Sequence, residues 1–256
     1  MSSAPALPIH NQRFVMTFDN KMSASAVRVE PDSDPIQAMR ILGFNHAFPC
    51  IFISGGASNM TDDDRLRIRE IMSVVAKFAQ DKGAVVVDGG TEAGVMQMIA
   101  DARLAGGHSF PLVGVSPLGK VSFPGYKNPN EEAYLEDSHS HFVLVDGDSW
   151  GAETKFIIRL TNRMGGGGKL PTLGILINGG AIAMEEVYLA STSEMKFPII
   201  ILEGTGRAAD EISTAFRTGR TNRAILKAIL AGGDLSLVPT IEGVEGIREK
   251  LLEKFV

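Results

Sequence analysis

One cysteine, one tryptophan, no surplus of positive charge and no long apolar run: these scarcities already narrow what the 256-residue chain does. With Cys50 alone it closes no internal disulfide and builds no cysteine-rich zinc site, so a reducing compartment is expected and the cytoplasm is the default location. Lys and Arg number 25 against 30 Asp and Glu, a formal charge of -5, which removes a sequence-independent grip on nucleic acid. No segment holds the roughly 18 uninterrupted apolar residues of a membrane span, and the amino-terminus lacks the basic start and apolar stretch of a signal peptide. Also missing are a Walker A sequence, a complete Gly-x-Gly-x-x-Gly and a Gly-x-Ser-x-Gly elbow, so ordinary ATP hydrolysis, the standard dinucleotide fingerprint and a serine nucleophile at Ser54 are unsupported.

Glycine is abundant instead. At an ordinary frequency of about 7% a chain of this length would hold roughly 18; it holds 28. The excess gathers where apolar, β-branched runs stop. Ile51-Phe52-Ile53 runs into Ser54-Gly55-Gly56, Val85-Val86-Val87 into Asp88-Gly89-Gly90, Ile175-Leu176-Ile177 into Asn178-Gly179-Gly180, and Ile199-Ile200-Ile201-Leu202 into Gly204-Thr205-Gly206. Uniformly apolar strands are buried on both faces, which is the mark of a parallel sheet covered by helices. Helical patterns follow at about 61–82, 94–105, 152–164, 181–193, 207–217 and 220–231, and two more strands are predicted at 112–115 and 142–145. The alternation gives a doubly wound α/β fold with a mostly parallel sheet and helices on both faces. Residues 1–48, with a short hairpin over 13–18 and 26–29 and a brief helix ending near Gly43, form an N-terminal extension docked on a core spanning 49–256. The stretch 119–137 is expected to be a long loop of the kind that covers a site.

In such a sheet ligands bind beyond the carboxyl ends of the strands, where turns without Cβ atoms and helix N-termini present amides to an anion. Four glycine corners on one edge suit a nucleotide. Thr91 offers a cap or a hydroxyl, and Gly94 allows close helix packing. Arg207 falls in a first helical turn, where a cation opposes the helix dipole by about 0.3 to 1 kcal/mol unless an anion shares the place; the competing reading is an ion pair with Asp210 or Glu211. Asp88 and Asp146 end apolar strands and either meet ribose hydroxyls or cap turns. His139 and His141 are spaced to face one side of a strand, yet without a third ligand nearby they are expected to be structural, and no metal is expected. Trp150 either stacks on a base or packs on the core, the latter being expected. The Arg217, Arg220, Arg223 and Lys227 group reads as a solvated face. The amphipathic tail after Val244 serves core packing or contact between copies, and a homo-oligomer is expected.

At these motifs the chain resembles the SLOG superfamily, and more closely the prokaryotic relatives (LSDAT) of the cytosolic N-terminal region of melastatin-type TRP channels. Val27-Arg28-Val29 looks like the opening strand and Ile53-Ser54-Gly55-Gly56-Ala57 like the first phosphate-side corner. Gly89-Gly90-Thr91 through Gly94-Val95-Met96 is similar to the hallmark. Asp137 to Asp146, Trp150-Gly151-Ala152-Glu153 and Gly204 to Asp210 follow in the same order and spacing. The resemblance implies a Rossmann-like module that binds a small nucleotide-derived molecule and acts as a sensor, with ADP-ribose or another NAD-derived adenine nucleotide as ligand and no required cofactor. The ligand-binding set would be Ser54, Gly55, Gly56, Gly89, Gly90, Thr91, Gly94, Asp146, Glu153, Gly179, Gly180, Gly204, Thr205, Gly206 and Arg207. The superfamily also contains phosphoribohydrolases with Pro-Gly-Gly-x-Gly-Thr-x-x-Glu; here Asn178, Ile182 and Ala183 replace Pro, Gly and Thr while the carboxylate stays. That alternative implies cleavage of a nucleotide N-glycosidic bond, with Glu185, Glu186 and Glu153 as candidate catalytic groups.

Overall fold

The computed structural model describes residues 7–256; the first six residues of the expected N-terminal extension, and with them part of the stretch read for a targeting signal, lie outside the described residues. Each apolar run becomes a strand: β3 (Cys50–Gly55), β4 (Val85–Asp88), β5 (Leu112–Pro117), β8 (His141–Val145), β9 (Thr172–Ile177) and β10 (Ile199–Glu203). The hairpin is β1 (Arg13–Thr17) with β2 (Ser23–Val29), and β11 (Leu235–Pro239) closes the other edge. Strand order is β1-β2-β8-β5-β4-β3-β9-β10-β11, and only the β1–β2 pair is antiparallel. This is the doubly wound α/β arrangement.

The sheet is coated on both sides. On one face α1 (Pro35–Leu42), α4 (Thr154–Met164), α5 (Ala181–Thr192), α6 (Arg207–Thr218) and α7 (Ala224–Gly232) bury Met39, Phe156, Val187, Ile212 and Ile229 against alternate strand positions such as Val87 and Val143. On the other, α2 (Asp62–Lys82), α3 (Gly94–Ala105) and α8 (Gly243–Lys254) bury Ile71, Ile99 and Leu251 against Val86 and Ile175. Thr61 caps α2 by accepting from the Asp64 N–H at 3.1 Å, and Gly83 ends it at φ +60. The tail is therefore core-facing on its Ile247 and Leu251 side.

Three expectations change in detail. The stretch 119–137 is structured: β6 (Val121–Ser122) and β7 (Ala133–Tyr134) pair, and Val121, Phe123 and Leu135 join Phe142 and Leu144 in a third apolar cluster over the β1–β2–β8 end. Its Pro and acidic content hid that anchoring. β11 was not foreseen, because five residues after Gly233 carry too little pattern to separate a strand from a linker. His139 and His141 do not share a strand face: β8 begins at His141, whose ring packs on Phe44, while His139 precedes it and stacks on Phe142.

Candidate functional site

From β3 the chain steps outward through β4 and β5 to β8, then returns through α4 to place β9 on the other side of β3 before continuing to β10 and β11. The two halves diverge at the carboxyl ends of β3 and β9, and such a switch point opens a crevice. Gly55 makes the closeness of these strands feasible: at φ +138, a Cβ there would sit 1.9 Å from the Ile177 carbonyl oxygen. The crevice is a cleft of about 650 Å³ walled by Gly55, Gly56, Gly89, Thr91, Gly94, Glu153, Gly180, Glu186 and Arg207, together with Arg65, Met96, Trp150 and Ile182.

Nine of the expected site residues thus meet in one cavity, and the others have different work. Gly90 is packed behind the corner, where a Cβ would lie 2.6 Å from the Gly114 Cα. Ser54 is buried and donates its hydroxyl to Glu186. The Gly204-Thr205-Gly206 corner is locked onto the neighbouring one. Thr205 Oγ1 accepts from the Asn178 N–H at 2.7 Å and donates to the Leu202 carbonyl, and the Ala208 and Ala209 amides donate to the Gly179 and Asn178 carbonyls at 3.1 and 2.9 Å. Those α6 amides are consumed within the protein, so Gly179, Gly204, Thr205 and Gly206 shape the cleft without lining it. Asp146 stands apart, paired with Arg28 at 2.7 Å and His10 at 2.7 Å, and these partners hold its carboxyl below the usual range against the upward push of burial. Glu185 points outward and is exposed.

What remains at the cleft is chemically pointed. The cap residue of α5 is Gly180, whose lack of a side chain leaves the first amides of that helix uncapped. Arg207 is exposed, sits at the left-handed φ of +52, and has no carboxylate partner among the described residues. Neither expected partner takes it: Asp210 accepts from the Gly204 N–H at 2.6 Å and Glu211 pairs with Arg223. The guanidinium instead lies over Gly180, where a Cβ would be 2.7 Å from Nη2. From the opposite side Arg65, one turn into α2, donates to the Ala57 carbonyl at 2.9 Å. Sequence reasoning missed Arg65; helical side chains lean back over the preceding turn, and spacing alone does not reveal which of them meets a cleft.

Two carboxyls complete the wall. Burial pushes Glu186 up to about 8 despite the Ser54 hydrogen bond, with Glu153 and Glu185 adding to the rise. Burial likewise pushes Glu153 up to about 6, opposed by N–H donors including Gly151 at 2.9 Å. Behind the Gly89–Gly90 corner, fully buried His139 joins Asp88 (2.9 Å) and Glu136 (2.7 Å). Burial would lower its pKa, but the two carboxylates raise it to about 9, so it is an imidazolium held between two anions. Asp88 also accepts from the Gly90 N–H at 2.8 Å, resolving its role as a turn cap. Among the described residues no group of three or more His, Cys, Asp or Glu is arranged to hold a metal, and no helix is long and apolar enough to cross a membrane.

Residues 48–245 match the family described as SLOG in TRPM, prokaryote. Transient receptor potential cation channel subfamily M member 2 of Rattus norvegicus is 28% identical over 230 residues, covering 73% of this chain and 15% of that protein. A transient receptor potential channel of Caenorhabditis elegans is 26% identical over 226 residues, covering 75% and 11%. The chain therefore spans only a small part of these relatives. The solved structure of TM1055, a structural-genomics target, is similar with a TM-score of 0.48 at 21% identity, over 79% of this chain and 99% of that one.

Proposed function

The chain belongs to the prokaryotic family of SLOG domains of the TRPM type, and on that premise we propose that its switch-point cleft binds a nucleotide-derived diphosphate, ADP-ribose or a related NAD metabolite, as a sensor. One observation carries the reading: an unpaired guanidinium, Arg207, lies over Gly180 at the uncapped N-terminus of α5. Helix amides and dipole favour an anion there, and a cation placed against the same dipole is unfavourable until one arrives. Arg65 supplies a second positive group across the cleft, which suits two linked phosphates better than one. No cofactor is required, and the small molecule is the partner; a cytoplasmic setting and self-association belong to the same proposal.

The test is a thermal-shift and calorimetric screen with ADP-ribose, NAD, AMP and cyclic adenine nucleotides. A ligand at a hundredfold excess over its Kd adds about 2.7 kcal/mol, a rise in Tm of roughly 5 to 10 °C for a chain of this size. Arg207→Gln should remove most of that shift. If every nucleotide leaves the melting curve unmoved, the proposal falls.

A second reading rests on a separate observation, the two buried carboxyls facing the cleft with pKa values pushed apart to about 8 and about 6. A proton donor beside a carboxylate base is what N-glycosidic hydrolysis of a nucleoside monophosphate requires. It predicts release of ribose 5-phosphate from AMP, abolished by Glu186→Gln. Binding without turnover separates the two readings.

A further inference from the structure

Trp150 lies on the turn between β8 and α4, where it is half-buried, forms part of the cleft wall and packs against the apolar cluster under the 119–137 segment. Its ring is fixed. The indole Nε1–H donates to Glu132 Oε2 at 2.7 Å, and Glu132 also accepts from Lys120 at 2.5 Å. Hydrogen bonds from Lys120 and then Trp150 hold the Glu132 carboxyl below its ordinary range, so the acceptor is charged at neutral pH. No other aromatic ring pairs with this indole among the described residues. Ile182, which lines the same cleft, lies beside the neighbouring Gly151, at ordinary contact distance (3.7 Å to its Cγ1) from where a Cβ would stand. The cleft is thus charged at the Arg207 end and aromatic and aliphatic beside Trp150.

A preorganised indole with its polar N–H already satisfied offers a ligand only its face and edge. Such a surface recognises a planar ring by stacking and, because every base has a π-face, is tolerant of base identity. We propose that Trp150 is the base-recognising wall of the cleft, with Glu132 as the positioning residue that holds the indole, so that the protein distinguishes nucleotides from their base-free sugar phosphates. This rests on the nucleotide-binding reading, and it sets the ligand's direction: phosphates toward Arg207, base toward Trp150.

The full chain contains a single tryptophan, so intrinsic fluorescence reports on this wall alone. Titrations with ADP-ribose, AMP and ribose 5-phosphate are followed by calorimetry for the wild type, Trp150→Leu, Trp150→Phe and Glu132→Ala, and by Trp emission for the wild type and Glu132→Ala, which keep the indole. ADP-ribose and AMP are expected to change the emission, and ribose 5-phosphate to leave it unchanged. Trp150→Leu is expected to weaken ADP-ribose by about 5- to 150-fold, the range of one lost base stack, and to keep the affinity for ribose 5-phosphate. Trp150→Phe should recover most of the loss. Glu132→Ala should weaken ADP-ribose by a smaller factor and shift the emission of the free protein. Wild-type binding of ADP-ribose that Trp150→Leu leaves intact, or a parallel loss for both ligands, overturns the inference while the nucleotide site stands. Wild-type protein that binds none of the three overturns both.

Discussion

Replacing Glu186 by glutamine should make the protein more stable, and increasingly so as the pH rises. In the fold this carboxyl is 8% exposed, and burial raises it from 4.5 to about 8. Below pH 4.5 both folded and unfolded chains hold the proton, and nothing is lost. Between 4.5 and 8 the unfolded chain releases it while the folded chain keeps it, so stability falls with pH. The slope approaches 1.36 kcal/mol per pH unit, which amounts to about 3.5 kcal/mol between about pH 5 and about pH 8. Glutamine keeps an oxygen to accept the Ser54 hydroxyl and has no proton to lose. Groups not coupled to Glu186 contribute equally to both proteins, so the difference reports on this residue together with its Glu153 and Glu185 neighbours. Urea unfolding at pH 5, 6, 7 and 8 should show the variant gaining on the wild type throughout, with a Tm advantage at the alkaline end of roughly 7 to 14 °C. Parallel stability curves for the two proteins would refute the claim that Glu186 is carried into the cleft wall as a neutral acid.

The alkaline behaviour of His139 has its own window. Its pKa is raised from 6.5 to about 9, so its stabilising share is complete below pH 6.5 and lost as pH rises through 9. His139→Gln strands two buried carboxylates and should cost about 3 to 5 kcal/mol near pH 6, with the deficit shrinking toward pH 9.5; a deficit independent of pH in urea titrations counts against the imidazolium. Gly55→Ala drives a methyl to 1.9 Å from a backbone oxygen and should abolish soluble folding, whereas Gly83→Ala, at φ +60 in open space, should cost only about 1 to 2 kcal/mol; equal melting temperatures would contradict the packing of β3 on β9. Cys50 is fully buried with its thiol pushed far up by desolvation, so a thiol reagent should label the native protein negligibly and one thiol per chain in denaturant, and fast native labelling would contradict its place in the core.

Much of the architecture was legible because parallel strands announce themselves. Val85-Val86-Val87 and Ile199-Ile200-Ile201-Leu202 are too apolar for anything but a sheet covered on both sides, and the glycines after them mark the strand ends. The cleft residues on those corners, from Gly55 to Gly180, were legible for the same reason. Sequence could not say which corner amides stay free. Gly204 and Gly180 look alike on paper, yet Thr205, Asn178 and the α6 amides satisfy one another, while the start of α5 stays uncapped. Nor could it separate Glu185 from Glu186, adjacent in sequence and about 100° apart around the helix, one exposed and the other buried. Asp146 ended an apolar strand as Asp88 does, but its fate was decided by Arg28 and His10, brought from more than a hundred residues away.

The backbone at Arg207 adopts a left-handed turn that a residue with a side chain enters only at an energetic loss, and glycine would enter freely. Relaxing that kink and keeping the positive group are therefore opposed at one position. Arg207→Gly should melt higher than the wild type in plain buffer and yet respond least to added nucleotide, so that selecting variants for thermal robustness alone would discard the charge on which the proposed binding depends.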